Sequence, residues 1–220
     1  MKLGKTILGI LVFGALLSSC SSNGKKAETK EAVTVEAASS SATTFYVMKE
    51  GSYLEWRSSH LGGVQPRFGK VSYQMGKVSV AEGKVTNAKV IIDLNTLTVE
   101  NFPEGSEQIA KLTGHLKNED FFNVAKFPTA IFELTNLVNT TGDFNTKVEG
   151  NLTIMGQTKS IVFSANIEVS DMGVSINSEN FSIDRRDWGL TYHIEGSEGV
   201  PVDYLITNDI GFTIKVALTK

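Results

Sequence analysis

The chain has 220 residues, with 21 Lys+Arg against 24 Asp+Glu, a formal net charge of -3 and a single cysteine. At 41% hydrophobic and 20% charged residues it falls in the globular class, and its length can bury one substantial core. One cysteine excludes an internal disulfide and every multi-cysteine zinc pattern, and the slight acidic excess argues against a nucleic-acid binder.

The N-terminus carries Lys2 and Lys5, then an 11-residue apolar run from Ile7 to Leu17, then small residues ahead of Cys20. A basic start, a short apolar centre and a small-residue break describe a secretory signal, and the run is too short for a spanning helix, which needs roughly 20 apolar residues. Leu17-Ser18-Ser19-Cys20 resembles a bacterial lipobox, so residues 1–19 are expected to be removed and Cys20 to be the lipid-attachment residue. The expected mature chain, residues 20–220, keeps 19 basic and 24 acidic groups, because only Lys2 and Lys5 leave with the signal. Several acyl chains on one residue give stable membrane anchoring. The expected location is the cell envelope, on the periplasmic face of the outer membrane.

Residues 20–43 are mostly Ser, Ala, Lys, Glu and Thr, without an aromatic ring, which reads as a flexible tether. From residue 44 the pattern becomes alternation. Leu54 and Trp56 oppose Tyr53, Glu55 and Arg57; Val71, Tyr73 and Met75 alternate with Ser72 and Gln74; Val85 to Leu94 is a β-rich run. Ala130, Phe132 and Leu134 continue the period, as do Val148, Gly150, Leu152 and Ile154, and Ile161 to Val169 is the longest series. Val174/Ile176, Phe181/Ile183 and Phe212/Ile214/Val216 complete it. Period 2 with breaks at Gly, Asn, Asp and Pro is the signature of an all-β domain, here residues 44–220.

One stretch differs. Ile109, Leu112 and Leu116 fall at helical spacing between Asn101 and Lys117, with an early Pro103 near the expected start. One helix among eight to ten strands suggests an antiparallel barrel with a plug or lid. At about eight strands the interior holds side chains and at most one small ligand. Periodicity alone favours a packed interior over a tunnel.

His115-Leu116-Lys117-Asn118-Glu119-Asp120-Phe121-Phe122-Asn123-Val124 and on to Phe132 closely resembles the central signature of the YceI-like polyisoprenoid-binding family. Gly150 to Lys159 and Phe181 to Leu190 resemble two further blocks of that family, in order and spacing, and Asn208 to Ile214 resembles its closing strand. The resemblance implies a lipocalin-like extended antiparallel β-barrel with one inserted helix and a long hydrophobic tunnel. It also implies a polyisoprenoid or related long-chain amphiphile as ligand, and a homodimer. Leu112-Thr113-Gly114 and Lys117-Asn118 depart from the family's pattern beside the helix, which leaves the head group open.

The three histidines, His60, His115 and His193, have no metal-ligand spacing, and no nucleophile elbow or phosphate loop is present. A non-enzymatic protein without cofactor is therefore expected, with a quinone admitted as a bound lipid. Gly156-Gln157-Thr158-Lys159 reads as a hairpin turn. Trp56, Phe132, Phe163 and Phe181 are the candidate tunnel lining. His115, Arg185 and Arg186 are the candidate head-group contacts, an Arg fork being suited to oxyanions. Adjacent Phe121 and Phe122, if in a strand, would face opposite sides. The alternative reading is an envelope stress or interaction module with a side-chain-filled barrel.

Overall fold

The computed structural model describes residues 23–37, 41–48 and 50–220. The expected signal segment and Cys20 lie outside the described residues.

Twelve strands and one α-helix are described: β1 Lys25–Lys26, β2 Glu28–Glu31, β3 Thr43–Val47, β4 Tyr53–Ser58, β5 Arg67–Ala81, β6 Lys84–Asp93, α1 Glu107–Lys117, β7 Thr129–Asn139, β8 Thr146–Ile154, β9 Gln157–Val169, β10 Gly173–Ser178, β11 Phe181–Asp184 and β12 Asp209–Thr219. Strands β5 to β9 form an antiparallel meander, β9 pairs with β10, and β10 and β11 both pair with β12. The ring closes where β12 pairs with β3 and β4, which both pair with β5. Because β3 and β4 share one place in the wall, and β10 and β11 another, the ring has about eight positions. The fold is thus the expected all-β, lipocalin-like barrel with one inserted helix.

The alternation read from the sequence sets which side chains point inward, and a β-bulge marks where it fails. On β5, Val71 and Tyr73 are buried, but a register shift between Tyr73 and Met75 turns Met75 to solvent and brings Val78 and Val80 inside. A bulge places two residues opposite one, so every later side chain changes face. A hairpin joins β8 and β9 as expected, but its turn is Met155-Gly156, at φ 50° and 76°, the left-handed pair that a two-residue turn of a right-twisted ribbon requires, and Gln157 to Lys159 already belong to β9.

Helix α1 begins later than its early proline suggested. Ser106 caps it by accepting from the Gln108 N–H, and Pro103 lies upstream, its carbonyl accepting from the Ser106 N–H. Leu116 is buried, and Ile109 and Leu112 pack against the barrel core. Phe121 and Phe122 lie in the turn after α1, outside any strand, so the strand rule of opposite faces does not govern them.

The N-terminal segment also differs from its expectation. Lys25–Glu31 is paired strand: β1 runs parallel to β11 and β2 antiparallel to β9. Beyond β2, Val33 exchanges two hydrogen bonds with the Asn151 side chain (3.1 and 2.6 Å), and Asn87 Nδ2 donates to the Glu36 carbonyl at 2.9 Å. The segment is therefore built into the barrel wall by pairing with β11 and β9, and its continuation is tied to β8 and β6. Its order comes from backbone bonding, to which a composition of Lys, Glu, Thr and Ala gives no clue.

Candidate functional site

Adjoining chambers occupy the barrel interior. The central one is lined by Trp56, Phe132, Phe163, Phe181, Phe212 and aliphatic residues, with Ser58 and Arg185 also in its wall. The inner one lies beside it, lined by Tyr73, Val148, Ile176 and Val216 among others. Leu54, Ile92, Phe132, Phe163 and Ile214 line both, so the two apolar chambers adjoin across these side chains.

The four aromatic residues named from the sequence all line the central chamber. Three of them form a column with Phe212: the Phe132 and Phe163 rings are 5.8 Å apart, Phe163 stacks on Phe181 at 4.6 Å, and Phe181 meets Phe212 at 5.9 Å. Offset and tilted contacts of this kind suit aromatic quadrupoles. Gly150 makes the column possible, because a Cβ there would lie 2.2 Å from Phe132 Cζ. Phe121 and Phe122 both face the central chamber, since the turn after α1 folds over its end.

Polar groups gather at one end. A third chamber shares Trp56, Ser58, Leu116, Phe121 and Ile206 with the central one and is lined by all three histidines, Arg67, Tyr192 and Tyr204. Its histidines come from the end of β4, the last turn of α1 and the 185–208 connection, which is why sequence spacing did not associate them. His115 Nε2 lies 3.1 Å from Asp120 Oδ2, and its ring meets Phe121 and Tyr192 edge-on at 5.0 and 4.9 Å. His60 Nδ1 lies 2.6 Å from the Asp203 carbonyl, and His193 stacks on Tyr192. Among the described residues, no group of three or more His, Cys, Asp or Glu is placed to hold a metal ion.

Of the other polar candidates, Arg185 is a strut. It is 1% exposed, and its guanidinium donates to the carbonyls of Leu190, Ile206 and Thr207 at 2.8, 3.2 and 3.0 Å. This ties the long 185–208 connection over the barrel end. Burial lowers its pKa to about 10, so it remains a cation at neutral pH. Arg186 lines none of the three chambers. It grips the Asp184 carboxylate through both oxygens, at 2.8 and 2.6 Å, and this fork, together with Lys26, holds Asp184 well below the usual carboxylate range despite its burial. Sequence reasoning missed Tyr192, Tyr204 and His60 at the mouth, because the loops that carry them have no periodicity.

The sequence model of the YceI-like domain family matches residues 25–218, and the chain belongs to that family. A UPF0312 protein of Azotobacter vinelandii is 38% identical over 78 residues, 36% of this chain and 37% of the relative. A UPF0312 protein of Pseudomonas aeruginosa is 32% identical over 128 residues, 57% of this chain and 62% of the relative. The matches thus span between about a third and two thirds of the curated relatives' length. Among solved structures, BcnA of Burkholderia cenocepacia superposes with a TM-score of 0.54 at 15% identity, covering 76% of this chain and 95% of that one. A polyisoprenoid binding domain from Saccharophagus degradans gives 0.54 at 16% identity, covering 79% and 97%. At those identities the likeness is one of fold.

Proposed function

We propose that the protein is a membrane-anchored lipid carrier of the periplasm that holds one long apolar tail in the two inner chambers and the lipid's head group in the mouth chamber. The observation that carries this reading is the segregation of the interior: an apolar tunnel running into a chamber lined by His60, His115, His193, Arg67, Tyr192 and Tyr204. A tail in such a tunnel is retained by removal of apolar surface from water, about 25 cal/mol per Å², while few polar groups at one end fix its orientation. The solved domain of Saccharophagus degradans, described as polyisoprenoid binding, supports an isoprenoid-type ligand. A quinone has the same division into polar ring and isoprenoid tail.

In this reading Cys20 is acylated and holds the barrel at the membrane that is donor or acceptor of the lipid. No chemical step is assigned to the site. The test is organic extraction of the protein purified from its native envelope, followed by mass spectrometry. The reading expects a long-chain isoprenoid lipid near one per barrel; a protein that is empty and binds neither added polyprenyl nor quinone probes contradicts it.

A further inference from the structure

The barrel wall has a seam that its own meander does not close. Strands β9 and β10 are paired from Ala165 to Val169, and the Glu179 N–H still donates to the Ser164 carbonyl at 2.9 Å. Beyond that point the chain of β11 turns to β12, and β9 and β11 are no longer neighbours. The N-terminal segment fills the gap. Lys25 and Lys26 pair with Phe181 and Ser182 on one side, the Ala27 N–H donates to the Ser182 carbonyl at 2.7 Å, and Glu28 to Glu31 pair with Val162 to Lys159 on the other.

Behind this filler lies the tunnel. Ile161 and Phe163 from one side of the seam and Phe181 from the other line the central chamber. The segment's own contribution to the core is Ala27, 7% exposed. Gly211 gives it room: a Cβ there would lie 2.3 Å from the Asn23 carbonyl oxygen.

The filler is held weakly compared with the strands around it. Its charged anchors are Lys26, whose side chain is 52% exposed and pairs with Asp184 and Asp209 at 3.1 and 3.0 Å, and Glu31, 88% exposed, on Lys159; the buried Asn23 adds one hydrogen bond, its Nδ2 donating to the Asp209 carbonyl at 3.0 Å. Exposed ion pairs contribute little and are screened by salt. A segment with two buried residues, Asn23 and the small Ala27, and a short ladder belongs to the low-stability end of a fold and opens before the global structure does.

We infer that residues 23–31 form a side gate of the tunnel: they leave the seam as a unit, opening a slit between β9 and β11 through which a lipid tail enters sideways rather than threading through the mouth. The gate's role in loading rests on the carrier reading above; the opening itself does not.

The test locks the gate on its outer face. Lys30 and Ser160 are directly paired across antiparallel strands, where Cα atoms lie about 4.5–5.5 Å apart, within the roughly 4.4–6.8 Å that a disulfide spans. The full chain carrying Lys30→Cys, Ser160→Cys and Cys20→Ser is compared, oxidised and reduced, with the chain carrying Cys20→Ser alone. Loading of a fluorescent polyprenyl phosphate is followed by stopped flow, and exchange of backbone amides by mass spectrometry.

The oxidised lock should load at least tenfold more slowly and recover on reduction, and Lys26→Ala should load faster. Loading of the oxidised lock at the unlocked rate overturns the gate. Failure of every form to bind the probe sinks the carrier reading, and the gate is then decided by exchange alone. Amides of 25–31 exchanging together, faster than the β8–β9 ladder and slowed by the lock, support it; protection equal to that ladder overturns it.

Discussion

The rings of Phe163 and Phe181 are stacked 4.6 Å apart and within 8° of parallel, although their strands, β9 and β11, are not hydrogen-bonded to each other. Their contact is made across the tunnel wall's seam, by side chains alone. It joins the central chamber to the one part of the barrel closed by the N-terminal segment, so the shape of the lumen and the state of that segment are linked.

The tunnel should be blockable without harming the fold. Ala130 lines the central chamber and Ala88 the inner one. Ala130→Phe is expected to abolish lipid retention, with at least a tenfold loss of probe affinity. Ala88→Phe should leave binding intact and shift the retained lipids to shorter tails. Overpacking a filled core typically costs 1–3 kcal/mol, whereas filling a void costs less. Thermal unfolding of Ala130→Phe within a few degrees of the parent therefore separates an open tunnel from a packed interior.

Arg185 should behave as a stabilising strut rather than a ligand contact. Arg185→Lys retains the charge but cannot reach three carbonyls in fork geometry, and each buried group left unpaired costs about 1–3 kcal/mol. Denaturant unfolding should show a loss of that order. Preference among lipid head groups should be unchanged; an altered preference would return Arg185 to the binding site.

The seam should weaken in acid. Asp184 is held below the ordinary carboxylate range first by Arg186 and then by Lys26. A depressed folded-state pKa means that its contribution is fully present above the unfolded value, about 3.9, and is lost as pH falls toward the folded one. Stability followed from pH 5 downward should therefore fall in the parent with a component that Asp184→Asn lacks. Parallel profiles would mean that the Arg186–Asp184–Lys26 cluster contributes nothing to folding.

Cys20 should decide where the protein is found. Cells fed a labelled fatty acid should yield labelled protein in the membrane fraction, and Cys20→Ser should remove the label. A labelled Cys20→Ser protein would contradict acylation at that residue.

Much of the fold was legible because a half-buried strand writes its inward face into every second residue. The series from Ile161 to Val169 and from Ala130 to Leu134 lies in β9 and β7, and the helical triplet Ile109, Leu112 and Leu116 lies in α1. The bulge after Tyr73 was not legible, because an inserted residue changes faces without changing composition. The mouth was legible in part, at His115 and Trp56, whereas His60, His193, Tyr192 and Tyr204 sit on irregular connections whose proximity is created by strand pairing far away. The seam-filling strand was invisible for the opposite reason. Lys25 to Glu31 has the composition of a tether, and only the unpaired edges of β9 and β11 make it a wall.

The most direct measurement is the lipid content of the protein as it leaves the cell. Native mass spectrometry of the purified chain, with solvent extraction of the same sample, should show a barrel carrying one long-chain isoprenoid lipid that Ala130→Phe does not retain. A parent protein that emerges empty, and stays empty after incubation with polyprenyl phosphate and quinone, would contradict the account at its centre.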